Sequence, residues 1–210
     1  MNKQRSPMQV LITLLLGLFG GNGQAAAELP PSGDGNSAVA VFAGGCFWCT
    51  ESDFDKVPGV LSTTSGYTGG HLVNPSYEAV SAGKSGHMEA VQVRYDPRQI
   101  SYAQLLQAYW PTIDPLTANG QFCDQGPQYR SAIFYNSPEQ HQLAEASKAA
   151  LEASGRWQQP IETLILPATI FYPAEDYHQD YHTKNPLRYT YYRHGCGRDQ
   201  RLQKVWGGST

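Results

Sequence analysis

The sequence predicts an α+β fold, a ferredoxin-like split βαβ sandwich followed by a long irregular C-terminal tail. Three observations carry this expectation. Short apolar or alternating runs that read as strands recur between segments with helix-start signatures. Their order is β-α-β-β-α-β-α-β, the pattern of a sheet with helices gathered on it rather than of a bundle or a barrel. Beyond Tyr172 the chain is aromatic, polar and punctuated by Pro and Gly, without an apolar period.

Taken in order, Val39-Ala40-Val41-Phe42 is an apolar run short enough for a buried strand, and Gly44-Gly45 permits a sharp turn after it. Cys46 then opens a helical stretch toward Lys56. Leu61 to Tyr67, rich in Ser and Thr, reads as a second strand, and a loop follows from Thr68 to Pro75. Glu89 to Tyr95 alternates polar and apolar residues as a half-buried strand should, and Asp96-Pro97 ends it. Ser101 with Gln104 forms a capping-box signature; Leu105, Leu106 and Tyr109 give the helix an apolar face, and Pro111 closes it. Ser131 to Tyr135 is the next strand. Ser137-Pro138-Glu139-Gln140 starts a second helix that runs through Leu143, Ala146, Ala150 and Leu151 to Gly155, a natural stop, and Ile161 to Leu166 follows as a strand.

The 210 residues suffice for one well-packed domain with an N-terminal appendage. A formal net charge of -3 without clustered positive residues excludes a nucleic-acid footprint. At the N-terminus, Lys3 and Arg5 precede the apolar run Met8 to Phe19, and Ala25-Ala26-Ala27 offers a signal-peptidase site. We therefore expect residues 1–27 to be a signal peptide, 28–37 a Pro/Gly/Ser-rich linker and 38–210 the catalytic domain, exported and periplasmic; an uncleaved membrane anchor is the competing reading, against which the apolar run is short for a bilayer span. In an oxidising compartment all four cysteines could serve as structural disulfides, and that reading competes with a catalytic one.

The reactive form of cysteine is the thiolate, which the free N–H groups of a helix N-terminus favour. Gly44-Gly45-Cys46-Phe47-Trp48 puts Cys46 in that setting, with two small residues before it and two aromatics after it that can wall an apolar pocket. A buried, inert cysteine at a tight turn is the competing reading. Cys49 completes a C-x-x-C pair, yet the intervening Phe-Trp and the downstream order of elements suit a thioredoxin-like centre poorly. Zinc, with Cys123, His194 or Cys196 as further ligands, lacks a second closely spaced pair. His178 and His182 are four apart, but Gln179 stands where a hydrolytic zinc motif needs Glu.

Gly45-Cys46-Phe47-Trp48, Ser65-Gly66-Tyr67, Tyr77-Glu78, Gly86-His87-Met88-Glu89-Ala90-Val91, Asp124-x-Gly126-x-Gln128-Tyr129-Arg130-Ser131 and the Ala174 to Gln179 stretch together resemble the peptide methionine sulfoxide reductases of the A type. The resemblance implies a peptide-methionine (S)-S-oxide reductase acting on free methionine sulfoxide and on oxidised proteins or peptides. It implies that Cys46 attacks the sulfoxide sulfur, that Glu89 protonates the oxygen, and that Tyr77 and Tyr129 donate hydrogen bonds to it. Phe47 and Trp48 would hold the S-methyl group and Asp124 would orient the site. The oxidised Cys46 would be recycled by a second thiol and a thioredoxin-like reductant, with no cofactor, no metal and a monomeric enzyme. For the resolving thiol we expect Cys196, set between Gly195 and Gly197, over Cys49 and Cys123. A C-x-x-C dithiol oxidoreductase and a disulfide-stapled binding module are the competing classes; neither needs an acid and two phenols around a thiol.

Overall fold

The computed structural model describes residues 36–207. The expected signal peptide and all but the end of the linker lie outside the described residues. In chain order the elements are β1 (Ala38–Gly44), α1 (Phe47–Phe54), β2 (Val60–Thr68), α2 (Tyr77–Ser81), β3 (Met88–Tyr95), α3 (Tyr102–Tyr109), β4 (Gly120–Gln121), β5 (Asp124–Gln125), β6 (Ser131–Tyr135), α4 (Pro138–Ala153), β7 (Leu164–Pro167), β8 (Tyr172–Pro173), α5 (Tyr181–Lys184), α6 (Pro186–Gly195) and α7 (Arg198–Trp206).

Six strands form one sheet in the order β7-β6-β1-β3-β2-β8. Its inner four, β6-β1-β3-β2, are antiparallel throughout. This is the expected split βαβ arrangement, with β3 inserted between the β1 and β2 that α1 connects; α4 then adds β7 parallel to β6. The alternation of side chains along a strand divides the core. From β1, Ala40 and Phe42 point toward the helices, where Phe42 stacks on Phe54 of α1 and Tyr109 of α3 at 4.9 Å each. Val39, Val41 and Ala43 point the other way and pack with Ala90, Phe134 and Phe171. On β3 the same alternation sends Val91, Val93 and the carboxylate of Glu89 toward the helices, which sets an acid beneath the start of α1.

The capping signals are realised. Ser101 and Gln104 exchange side-chain and backbone hydrogen bonds at the start of α3, Ser137 accepts from Gln140 N–H at α4, and Gly155 ends α4 at φ +65°. Two elements differ from the sequence expectation. The strand expected from Ile161 begins only at Leu164, and α2, capped by Ser76, follows the loop that ends at Pro75. The tail also needs correction: it is irregular to Asp180 but helical from Tyr181 onward, as α5, α6 and α7. It is held by polar anchors instead of an apolar stripe. Arg193 of α6 pairs with Asp53 of α1 at 2.9 Å, and Trp206 Nε1 donates to the Ile113 carbonyl at 2.7 Å.

Candidate active site

Cys46 is the N-cap of α1, but its thiol caps no N–H group: the Phe47 N–H is taken by Glu89 and the Cys49 N–H by the Cys46 carbonyl. The preceding turn is held in shape from behind. Gly45 adopts φ +84°, and a Cβ there would meet Gln121 Cβ at 2.6 Å, so glycine is required on two counts. Gln121 is fixed by reciprocal bonds to Asp114, its Oε1 accepting from Asp114 N–H and its Nε2 donating to the Asp114 carbonyl, both at 2.8 Å. Arg198 lies fully buried beneath, donating to the carbonyls of Gly44 at 3.1 Å and Thr112 at 2.8 Å while its guanidinium covers the Phe122 ring.

A cavity of about 360 Å³ opens in front of Cys46, lined by Cys46, Phe47, Trp48, Tyr77, Glu89 and Asp124, with Tyr129 and residues of α6 completing it. Every residue expected to act on the substrate is therefore brought to one place. Glu89 is buried, and its Oε2 accepts the Phe47 N–H at 3.0 Å. Burial pushes its carboxyl up to about 8, with the charges of Asp124 and Cys49 adding and the Phe47 N–H opposing. Burial also raises the Tyr77 phenol, to about 12, and moves Tyr129 in the same direction, so both stay neutral donors at physiological pH.

The walls are built from the motif after β8. Glu175 accepts from the Tyr67 hydroxyl at 2.8 Å and from Tyr77 N–H at 2.9 Å, which anchors the start of α2. Trp48 Nε1 donates to His178 Nδ1 at 3.0 Å, and the Trp48 ring stacks on Tyr181 at 3.7 Å. His178 in turn packs against the rings of Phe47 and Tyr77. His178 and His182 thus serve separate partners, His182 lying 3.6 Å from Asp55.

The cysteines divide into two pairs. Cys123 and Cys196 form a disulfide with S–S 2.10 Å, whereas Cys46 and Cys49 are free and buried. The expected resolving thiol, Cys196, is thus engaged with Cys123, while Cys49 is hydrogen-bonded to Cys46. Cys46 and Cys49 titrate together. Their mutual hydrogen bond and the nearby Arg198 and Arg193 favour one negative charge on the pair, bringing the Cys49 thiol down to about 7; burial and that charge push Cys46 up, which overturns the expectation that the helix N-terminus would favour the Cys46 thiolate. Among the described residues the one cluster with metal-ligand spacing is Cys123, Asp124 and Cys196, and its two sulfurs are bonded to each other.

Sequence reasoning missed the contribution of α6. Tyr192 donates to Asp124, hydrogen-bonds Cys46, and with Arg188 and Tyr191 closes one side of the cavity. Pro186 at the start of α6 was the available signal, since proline favours the first helical turn.

A thiol at a helix N-terminus, facing a carboxylic acid kept neutral by burial and two neutral phenols, places the molecule among the thiol enzymes, on an α+β sandwich. The comparisons narrow this. The family model for peptide methionine sulfoxide reductase matches residues 38–210. "Peptide methionine sulfoxide reductase MsrA" of Bacillus licheniformis is 55% identical over 169 residues, covering 80% of this chain and 93% of that protein. "Peptide methionine sulfoxide reductase MsrA 2" of Caulobacter vibrioides is 52% identical over 183 residues, 87% of this chain and 92% of that protein. Among solved structures, Mxr1 from Saccharomyces cerevisiae in reduced form superposes with a TM-score of 0.69 at 31% identity, covering 77% of this chain and 91% of that one. The chain belongs to the peptide methionine sulfoxide reductase family.

Proposed function

We propose that the protein is a peptide-methionine (S)-S-oxide reductase in which Cys46 is the nucleophile, Glu89 the general acid, and Tyr77 and Tyr129 the donors to the sulfoxide oxygen. The observation that carries this reading is the convergence of those four side chains in one cavity. A sulfoxide oxygen leaves sulfur only as it gains protons, and an acid at about 8 holds its proton at neutral pH. Two phenols aimed at that oxygen act as a preorganised hole. Phe47 and Trp48 supply apolar walls for the S-methyl group. Asp124, bonded by Tyr192, positions the site from its edge.

In the first step the Cys46 sulfur takes the oxygen: methionine sulfoxide becomes methionine and the thiol becomes a sulfenic acid. Cys49, the adjacent thiol, is the first able to condense with it, releasing water and leaving a Cys46–Cys49 disulfide. Exchange with reduced Cys123 and Cys196 would then return both inner thiols and leave the Cys123–Cys196 disulfide. In this scheme Cys49 takes the step expected of Cys196, and Cys196 with Cys123 carries the oxidation outward. Exposed Cys123 gives a thioredoxin-like dithiol access to that disulfide. Thiols supply all the electrons, so the cycle needs no cofactor or metal, and we propose a monomer. The Lys3–Ala27 pattern supports export to the periplasm with cleavage before Glu28; N-terminal sequencing of envelope protein that returned Met1 would overturn this.

A C-x-x-C oxidoreductase acting on protein disulfides is disfavoured, because Cys46 is only 6% exposed and Cys49 1%, out of reach of a folded partner's disulfide. The test is stoichiometric. Reduced protein mixed with a methionine-S-sulfoxide peptide should lose two thiols per methionine formed; thiol loss without methionine would refute the reductase reading.

A further inference from the structure

Helix α6 turns toward solvent a surface that the reaction itself does not need. Leu187 is 87% exposed and Tyr191 83%, the highest values among the exposed large hydrophobic residues described. Four residues apart on a helix, they lie on one face. That face is continuous with the catalytic cavity, because Tyr191, Arg188 and Tyr192 of the same helix line it. Arg188 is exposed, and no carboxylate lies within ion-pair reach of it among the described residues. Contiguous exposed apolar surface beside a binding site is a mark of recognition, and aromatic residues with arginine are the types enriched where proteins meet. A free amino acid held with its sulfur at Cys46 has no atoms that extend out along α6. A polypeptide chain does.

We propose that α6 is a docking face for the polypeptide that flanks an oxidised methionine, and that its occupant is an extended, unfolded segment. An apolar side chain beside the methionine sulfoxide would cover Leu187 and Tyr191, and a neighbouring carboxylate would meet Arg188. The inference rests on the reading of the cavity as the methionine sulfoxide site. Extension of the substrate follows from depth: Cys46 sits almost fully buried at the cavity floor, so the side chain must enter whole while its backbone runs along the rim. A rim contact that does not change as the sulfoxide reacts is made equally in ground and transition states, and such uniform binding acts on KM and leaves kcat little changed.

The test uses the full-length protein with dithiothreitol as reductant and compares N-acetyl-methionine-S-sulfoxide methylamide with unstructured nonapeptides carrying a central methionine sulfoxide. The peptides are flanked by Leu and Asp, by Ala alone, or by Leu and Lys. The Leu/Asp peptide should exceed the blocked amino acid in kcat/KM by about tenfold through KM, and should exceed the Leu/Lys peptide. Leu187→Ser should erase most of that gain and leave the blocked amino acid within about twofold, since an exposed side chain contributes little to folding. Equal kcat/KM for the blocked amino acid and the peptides, or a peptide gain that survives Leu187→Ser, would overturn the docking face. Failure to reduce any of these sulfoxides would instead overturn the reductase reading itself.

Discussion

Replacing Glu89 by Gln keeps the shape and the acceptor for Phe47 N–H but removes the transferable proton. With its carboxyl near 8, Glu89 is about nine-tenths protonated at pH 7 and about one-tenth at pH 9, whereas an ordinary carboxyl near 4.5 would be protonated in about one molecule in three hundred at pH 7. The thiolate dependence runs the opposite way: burial and the neighbouring Cys49 hold the Cys46 thiol well above its ordinary range, so its thiolate fraction keeps growing as pH rises. Taking the ratio of the native rate to the Glu89→Gln rate cancels that dependence and isolates the acid. Single-turnover methionine formation, quenched and measured by chromatography from pH 5.5 to 9.5, reads it directly. Below pH 8 Glu89→Gln should be slower by about two to four orders of magnitude, the usual size of general acid catalysis, and the ratio should shrink as pH rises through about 8. A variant that retained full rate, or a ratio that stayed constant up to pH 9.5, would refute the acid assignment.

Cys46→Ser should abolish both single and multiple turnover, and Cys196→Ser should preserve one turnover while steady-state cycling with a thioredoxin-like donor falls steeply; mass spectrometry of the trapped disulfides reports the route. Tyr77→Phe or Tyr129→Phe should each lower kcat by about two orders of magnitude with KM nearly unchanged, and the double variant should lose less than the product of the two. Arg198→Ala should destabilise the fold by about 3 kcal/mol in urea unfolding, because it strips donors from the buried carbonyls of Gly44 and Thr112.

The inner sheet, α1, α3 and α4 were legible because each is signalled locally: the alternation at Glu89–Tyr95, the capping pairs Ser101/Gln104 and Ser137/Gln140, and the glycine stop at 155. The cavity residues were legible through motifs. What escaped was the helical tail, for a physical reason. Helix α6, PLRYTYYRHG, has no apolar stripe: it is held through Arg193 to Asp53, the Tyr192 hydroxyl to Asp124 and the buried Tyr189, contacts made by the ends of long polar side chains with partners 68 and 140 residues away. Periodicity cannot register such anchors. The pairing of the cysteines was equally hidden, because Cys123 and Cys196 are separated by 73 residues and meet only through the hairpin of β4 and β5 and the end of α6.

That separation has a thermodynamic consequence. A cross-link spanning 73 residues removes enough freedom from the unfolded chain to be worth about 4 kcal/mol in the loop-entropy picture, a sizeable part of the margin that keeps a domain of this size folded. If the same bond is opened and closed during turnover, the protein is sturdiest just after it has repaired a methionine and weakest when recharged for the next. Its melting temperature would then report the redox state of its surroundings, and proteolysis would fall hardest on the fully reduced form, the one ready for work.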